Sequence, residues 1–256
     1  MTIKIPRNYM GEPIEGSMER ILAGAPLQPA PIGQPSAQPF ILNPANINNA
    51  HEYIILPGAT HGSYSYPEML VAMERTHHGK NWNDAHELLV KENAYMLTIR
   101  QFVDFLSLLK SGKAFDGNGR QLDKGKLEDV LNDIIEVREP WRSEWLDAKF
   151  EDGNIIYHAL ERKSGSYTLV ETKEPLVNYI KKDKSPGIDL SDWLANATYH
   201  GLPSKNVNDG SLYYWKPKDG TVARFVAGSV WAVLYCCGYP SGTYSSLGVR
   251  AVRAKI

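Results

Sequence analysis

The sequence predicts an α+β domain in which two helices pack on short antiparallel sheets, with a helical insertion, behind a proline-rich arm. Three observations carry this. Helical runs are confined to the first half of the domain, short β-rich runs punctuated by Gly and Pro fill the second, and six of the sixteen prolines fall within residues 26–44. Helices followed by a series of strands, without strict alternation, point away from a doubly wound parallel sheet. At 256 residues the chain can bury one substantial core, or one core and a small appendage.

Residues 1–50 read as the arm or linker, because Pro26, Pro29, Pro31, Pro35, Pro39 and Pro44 fix φ and remove backbone donors. The domain proper spans 51–256. Glu52-Tyr53-Ile54-Ile55-Leu56 is a β-rich run stopped by Pro57-Gly58, and a Gly/Ser/Tyr-rich loop continues through Tyr66. A helix opens near Trp82, with Ala85, Leu88 and Leu89 at helical spacing. Thr98 and Gln101 form a capping box for a second helix, in which Phe102, Phe105, Leu106 and Leu109 share a face and Ser111-Gly112 closes the end.

Residues 113–150 read as an insertion. It begins with the turn Asp116-Gly117-Asn118-Gly119. A helix follows over 124–137, turning Leu127, Val130, Leu131, Ile134 and Ile135 inward, and the Trp141 and Trp145 region packs back on the domain. β-like runs follow at 154–160, 166–171, 211–216, 222–229, 231–236 and 248–254.

Charge and composition exclude several function classes. A net charge of −1, with no basic cluster beyond Lys181-Lys182-Asp183-Lys184, argues against nucleic-acid binding. The first twenty residues lack an apolar signal core, and the longest apolar run, 225–239, is too short to span a bilayer. Cytoplasmic synthesis without membrane insertion is expected, and the final location is left open. None of the seven histidines (51, 61, 77, 78, 86, 158, 200) falls into H-E-x-x-H, and no C-x-x-C accompanies them. His77-His78 reads as exposed loop, and Glu128-Asp129 as solvated charge. No G-x-S-x-G, P-loop or dinucleotide fingerprint is present. Asn196-Ala197-Thr198 is a sequon expected to be silent. Cys236-Cys237 would point to opposite faces of a strand, so two unpaired thiols are expected. No catalytic residue, metal or cofactor is expected.

Residues 225–249 hold no Asp, Glu, Lys or Arg, where a typical window would carry about five charges. Strand alternation turns Phe225, Ala227 and Ser229 to one side, with Ala232, Leu234 and Cys236 continuing that inward face. The outward set is then Arg224, Val226, Gly228, Val230, Trp231, Val233, Tyr235, Cys237, Gly238 and Tyr239, with Thr243 and Tyr244 nearby. Tyr and Trp give large contact area at low entropic cost, as in antibody paratopes.

Trp82-Asn83-Asp84-Ala85-His86 followed by Met96-Leu97-Thr98-Ile99-Arg100-Gln101-Phe102 resembles the W-x-x-A…LPT-x-x-E-[WF] pattern of formylglycine-generating-enzyme-like domains. Leu247-Gly248-Val249-Arg250-Ala251-Val252 is similar to the terminal G-F-R-[LV] strand of that superfamily. The resemblance brackets residues 52–254 and implies a C-type lectin fold. Those enzymes hold copper with a spaced cysteine pair, which the adjacent Cys236-Cys237 does not reproduce, so the resemblance implies no catalysis here. The variable proteins of diversity-generating retroelements resemble the same scaffold. In that family, adenine-directed mutation of AAY codons cannot yield Lys, Glu, Gln or Met, and all four are missing from 225–249. Trp231 departs from that rule. Gly201-Leu202-Pro203 and Leu212-Tyr213-Tyr214-Trp215 look closest to archaeal and viral members.

What this resemblance implies is a non-enzymatic recognition protein with a hypervariable surface in 222–250. There the twelve outward residues would bind a protein or other macromolecular ligand. The alternatives are a formylglycine-generating-enzyme-like oxidase with a different active site, or a structural tail or particle protein whose arm mediates oligomerisation.

Overall fold

A computed structural model describes residues 8–9, 12–13, 49–163 and 166–254. The chain divides into two compact units, Met1–Gln38 and Pro39–Ile256. In the first, β1 (Asn8–Tyr9) pairs antiparallel with β2 (Glu12–Pro13). The proline-rich stretch 26–44, expected to be extended, lies outside the described residues.

In the second unit the elements run β3 (Tyr53–Leu56), β4 (Ala59–His61), β5 (Tyr64–Tyr66), β6 (Met69–Thr76), α1 (Trp82–Lys91), β7 (Tyr95–Met96), α2 (Ile99–Ser111) and α3 (Lys124–Ile135). They continue with β8 (Arg142–Glu151), β9 (Asn154–Lys163), β10 (Ser166–Pro175), β11 (Lys184–Ile188), α4 (Leu190–Asn196), β12 (Leu212–Trp215), β13 (Thr221–Ala227), β14 (Ala232–Gly238) and β15 (Leu247–Ala254). This is an α+β fold with four α-helices among the described residues and one large mixed sheet. Eleven strands form that sheet, with the main order β11-β12-β14-β13-β8-β15-β6-β3. β9 also pairs with β8, β10 with β9, and β7 with β15. The expectation of short antiparallel sheets is corrected here, because β12 runs parallel to β14 and β15 parallel to β8.

The helices form where the local sequence supports them. Gln101 N–H donates to Thr98 Oγ1 and Thr98 N–H to Gln101 Oε1, completing the capping box of α2. Gly112 closes that helix at φ 66°, a left-handed conformation that costs glycine little. Phe102, Phe105, Leu106 and Leu109 are buried as their spacing requires. Helix α3 buries Leu127, Val130 and Ile134, while Leu131 and Ile135 are only half-buried. Helix α4 is an addition to the expected elements. It is capped by Asp189 and anchored by Trp193, whose indole N–H donates to Gly201 O.

These three helices share one core with the inner residues of the sheet, among them Leu146, Ala148, Phe150, Phe225, Ala227, Leu234 and Cys236. The opposite face carries a second cluster in which Trp82, Ala85 and Leu89 of α1 meet Trp145, Val222, Leu247 and Val249. Strand β8 lies between β13 and β15 in the middle of the sheet. Residues 142–150 are therefore not peripheral to the domain, contrary to the insertion expected over 113–150. The polar residues of β8 hide it from a hydrophobic pattern. Glu144 is buried against Arg250 at 3.0 Å, and Arg250 also donates to Ala72 O and Met73 O.

Candidate metal centre

The site begins with an irregularity in β8. Val222 of β13 pairs with Lys149, but Arg224 pairs with Trp145, so Leu146, Asp147 and Ala148 stand opposite Ala223 alone. Bulges of this kind release backbone groups from the ladder and re-aim side chains. Both released groups find partners elsewhere. Asp147 N–H donates to Leu97 O at 2.7 Å, and Leu146 O accepts the Trp82 indole N–H at 3.0 Å.

Helix α1 brings the second group. Asn81 caps it by accepting the Asp84 N–H at 2.9 Å, and the buried face carries Trp82, Ala85, His86 and Leu89. His86 falls one turn after Trp82 on that face, so docking the tryptophan on β8 aims the imidazole at Asp147. The third group comes from β9. Its pairing with β8 covers Asn154–Ile156, and beyond it the His158 N–H leaves the ladder to donate to Asp147 Oδ2 at 2.6 Å.

His158 Nδ1 lies 2.9 Å from Asp147 Oδ1, and His86 Nε2 lies 3.3 Å from the same oxygen. The three residues can place one donor atom each within 4.8 Å of the others. Asp147 is fully buried, His86 almost so, and His158 half-buried. The imidazoles are 5.0 Å apart between centroids, and Trp82 sits edge-on to His86 at 4.2 Å.

Burial raises the Asp147 carboxyl, but the charge of His86 and the hydrogen bond from His158 outweigh it, so its pKa falls below the ordinary value. Burial lowers His158, but the hydrogen bond and charge of Asp147 reverse this and hold its pKa above the ordinary value. His86 differs in being near an acid without being satisfied. Neither ring nitrogen makes a hydrogen bond, although both are buried. The 3.3 Å approach of Nε2 to Asp147 Oδ1 is an ion-pair distance, longer than the 2.9 Å contact that His158 makes to the same oxygen. A buried polar atom without a partner is costly and calls for an explanation.

Two imidazoles and a carboxylate suit a divalent transition metal. This overturns the expectation of a non-enzymatic recognition protein with no catalytic residue or metal. A buried His/Asp/His cluster able to chelate a metal is more consistent with a catalytic or cofactor centre than with a surface that only binds. No H-x-x-x-H spacing could reveal it, because its residues come from a helix and two strands distant in sequence. The only local signal is His86 in the Trp82–His86 motif.

The twelve residues expected to face outward do not share one environment. Val230, Tyr239 and Tyr244 are exposed (78%, 76% and 51%), as is Thr243. Arg224, Trp231, Tyr235 and Cys237 are half-buried, whereas Val226, Gly228, Val233 and Gly238 are buried. The alternation itself holds for Phe225, Ala227, Ala232, Leu234 and Cys236, all in the main core; Ser229 is exposed in the following turn. Val226 and Val233 pair across β13 and β14 on the opposite face, yet both are buried there. Cys236 and Cys237 are free thiols on opposite faces, so they cannot jointly chelate one ion. Burial raises the Cys236 thiol well above its ordinary value.

Among the described residues, no helix is long and apolar enough to cross a membrane. Comparison with known protein families, curated proteins and solved structures finds no match to this chain.

Proposed function

We propose that this protein is a metal-dependent enzyme whose centre is formed by His86, Asp147 and His158, on a C-type-lectin-like scaffold of the formylglycine-generating-enzyme type. The observation that carries the centre is the buried imidazole of His86. Both its nitrogens lack hydrogen bonds, and it faces a carboxylate already shared with a second histidine. A positive ion there would take up the single lone pair of the neutral His86 imidazole, one of the two positions that the described residues leave unpartnered. The scaffold reading is supported by where the motif residues fall. Trp82 and His86 lie on the helix that builds the site, Leu97 accepts the Asp147 N–H, and Arg250 pins β15 to the middle of the sheet.

A two-histidine, one-carboxylate set serves both oxygen-using iron enzymes and zinc hydrolases, and the resemblance to formylglycine-generating enzymes is what favours the oxidase class. The metal would supply the redox chemistry. The protein's part is to orient the two imidazoles through Asp147 and to exclude water with Trp82.

Titrating the chelator-treated full chain with Fe2+, Cu2+ and Zn2+ by calorimetry, Fe2+ under anaerobic conditions, tests this. One ion per chain is expected, with affinity lost in His86→Ala and in His158→Ala. Equal uptake by wild type and the double variant, or no uptake at all, overturns the centre. In that case Asp147 serves only to bridge two imidazoles. Oxygen uptake on a cysteine-containing peptide, lost in His86→Ala, is expected of the iron- or copper-loaded protein. Metal binding without it overturns the oxidase class.

A further inference from the structure

We propose that the sheet carries a second binding site, a cavity that takes a small planar aromatic carboxylate, going beyond the metal reading and independent of it. The cavity measures about 300 Å3 and is walled by Trp141, Trp231, Tyr235 and Tyr244, with Val226 and Arg224 among the rest of its lining. Its aromatic walls are held by their neighbours. Trp231 stacks on Tyr213 at 6.1 Å and 11°, Tyr235 lies 4.5 Å from Trp215, and Trp141 meets Tyr244 edge-on at 5.9 Å. Rings fixed in this way accept another ring without ordering themselves first.

Arg224 gives the cavity its charge preference. Its guanidinium lies 4.5 Å from the Tyr235 ring centroid and 5.4 Å from that of Tyr244. Among the described residues it forms no ion pair with a carboxylate, and its buried Nε makes no hydrogen bond. A guanidinium stacked on aromatic faces, with donors left over, is matched by a carboxylate, which it can hold through two parallel hydrogen bonds. Glu139, also in the lining, opposes any negative charge placed near it, so the ligand's single carboxylate has to sit at Arg224. The volume suits a one- or two-ring acid, so the occupant is a free small molecule.

Indole-3-acetate and indole-3-acetamide share a ring and a shape and differ in charge, so calorimetry with both on the full chain reads the claim directly. Wild type should bind the acid about tenfold or more tighter than the amide. Arg224→Gln should abolish that preference, and Trp231→Ala should weaken both probes alike. His86→Ala should change neither, which separates failure of this site from failure of the metal centre. The proposal is overturned if acid and amide bind alike, if neither binds at millimolar concentration, or if folded Arg224→Gln keeps the preference. Should Arg224→Gln not fold, the salt dependence of acid binding to wild type decides. Acid affinity falling with salt while amide affinity holds supports the site, and no such difference overturns it.

Discussion

The metal centre and the aromatic cavity are neighbours on the sheet, because Arg224 of β13 pairs with Trp145 of β8, two residues before Asp147. Their environments are opposite. At Asp147 the chain has buried an acid completely and surrounded it with two imidazoles. At Arg224 it has left a cation half-buried among aromatic rings, without an acid. Cover makes the difference, since α1 and β9 close over Asp147 at the bulge, while Arg224, at the edge of the same irregularity, is met by aromatic rings. In each place one polar group lacks a full set of protein partners among the described residues. The sign of what is missing indicates the ligand, a cation at His86 and an anion at Arg224.

Removing the central charge should give the largest effect. Asp147→Ala leaves the buried His86 and the half-buried His158 without their shared acid, and breaking a buried ionic cluster costs about 3–5 kcal/mol. Urea denaturation of the metal-free protein should show that loss, and Arg224→Gln a much smaller one. Equal losses would break the comparison, because they would mean that Arg224 is as structurally committed as Asp147. Metal binding should come next. An ion that binds only the folded state adds about 2.7 kcal/mol at a hundredfold excess over its Kd. Thermal melts should show this for wild type and not for His86→Ala.

The pH dependence sharpens the contrast further. Asp147, held below its ordinary pKa, contributes stability present above about pH 4 and lost as pH falls through its lowered value. His158, held above its ordinary pKa, contributes stability fully present below about pH 6.5 and lost as pH rises through its raised value. A metal must displace the proton that Asp147 helps His158 retain, so metal stabilisation should grow as pH rises from about 6.5 through the raised His158 value, while the metal-free protein weakens. Melts with and without metal across that range check it. A metal-induced shift that stays flat would show that His158 is not a ligand.

The helices were the most legible part of the fold, because α2 announces itself by its capping box and its Phe102/Phe105/Leu106/Leu109 face. The inner face of β13 and β14 was legible for the same reason, a period-two pattern on one core. Strand β8 was not. Its buried residues include Arg142, Glu144 and Asp147, which read as solvent-facing until partners from β15, α1 and β9 arrive. The metal centre was illegible on the same grounds, since it exists only where three distant segments meet at a bulge. The outward residues were half legible. Alternation gives a side chain's direction, but it cannot tell that a neighbour covers Val226 and Val233 and leaves Tyr239 bare.

That last distinction can be tested with the smallest changes. Tyr239→Ala removes a ring that is 76% exposed and makes no ring contact among the described residues, so its effect on the urea midpoint should stay within about 0.5 kcal/mol. Tyr235→Ala is chemically the same substitution, made within β14 rather than just past its end, and its ring lies 4.5 Å from Trp215 and 4.5 Å from the Arg224 guanidinium. Losing it removes an aromatic contact and a cation–π contact, each worth about 0.5–1 kcal/mol, so the midpoint should move measurably. If the two variants behave alike, the aromatic face is not the preorganised wall that the cavity requires, and Arg224 is held by something other than the rings. If only Tyr235→Ala is destabilised, the rings are structure first and contact surface second, and Tyr239 is the residue free to change without cost to the fold.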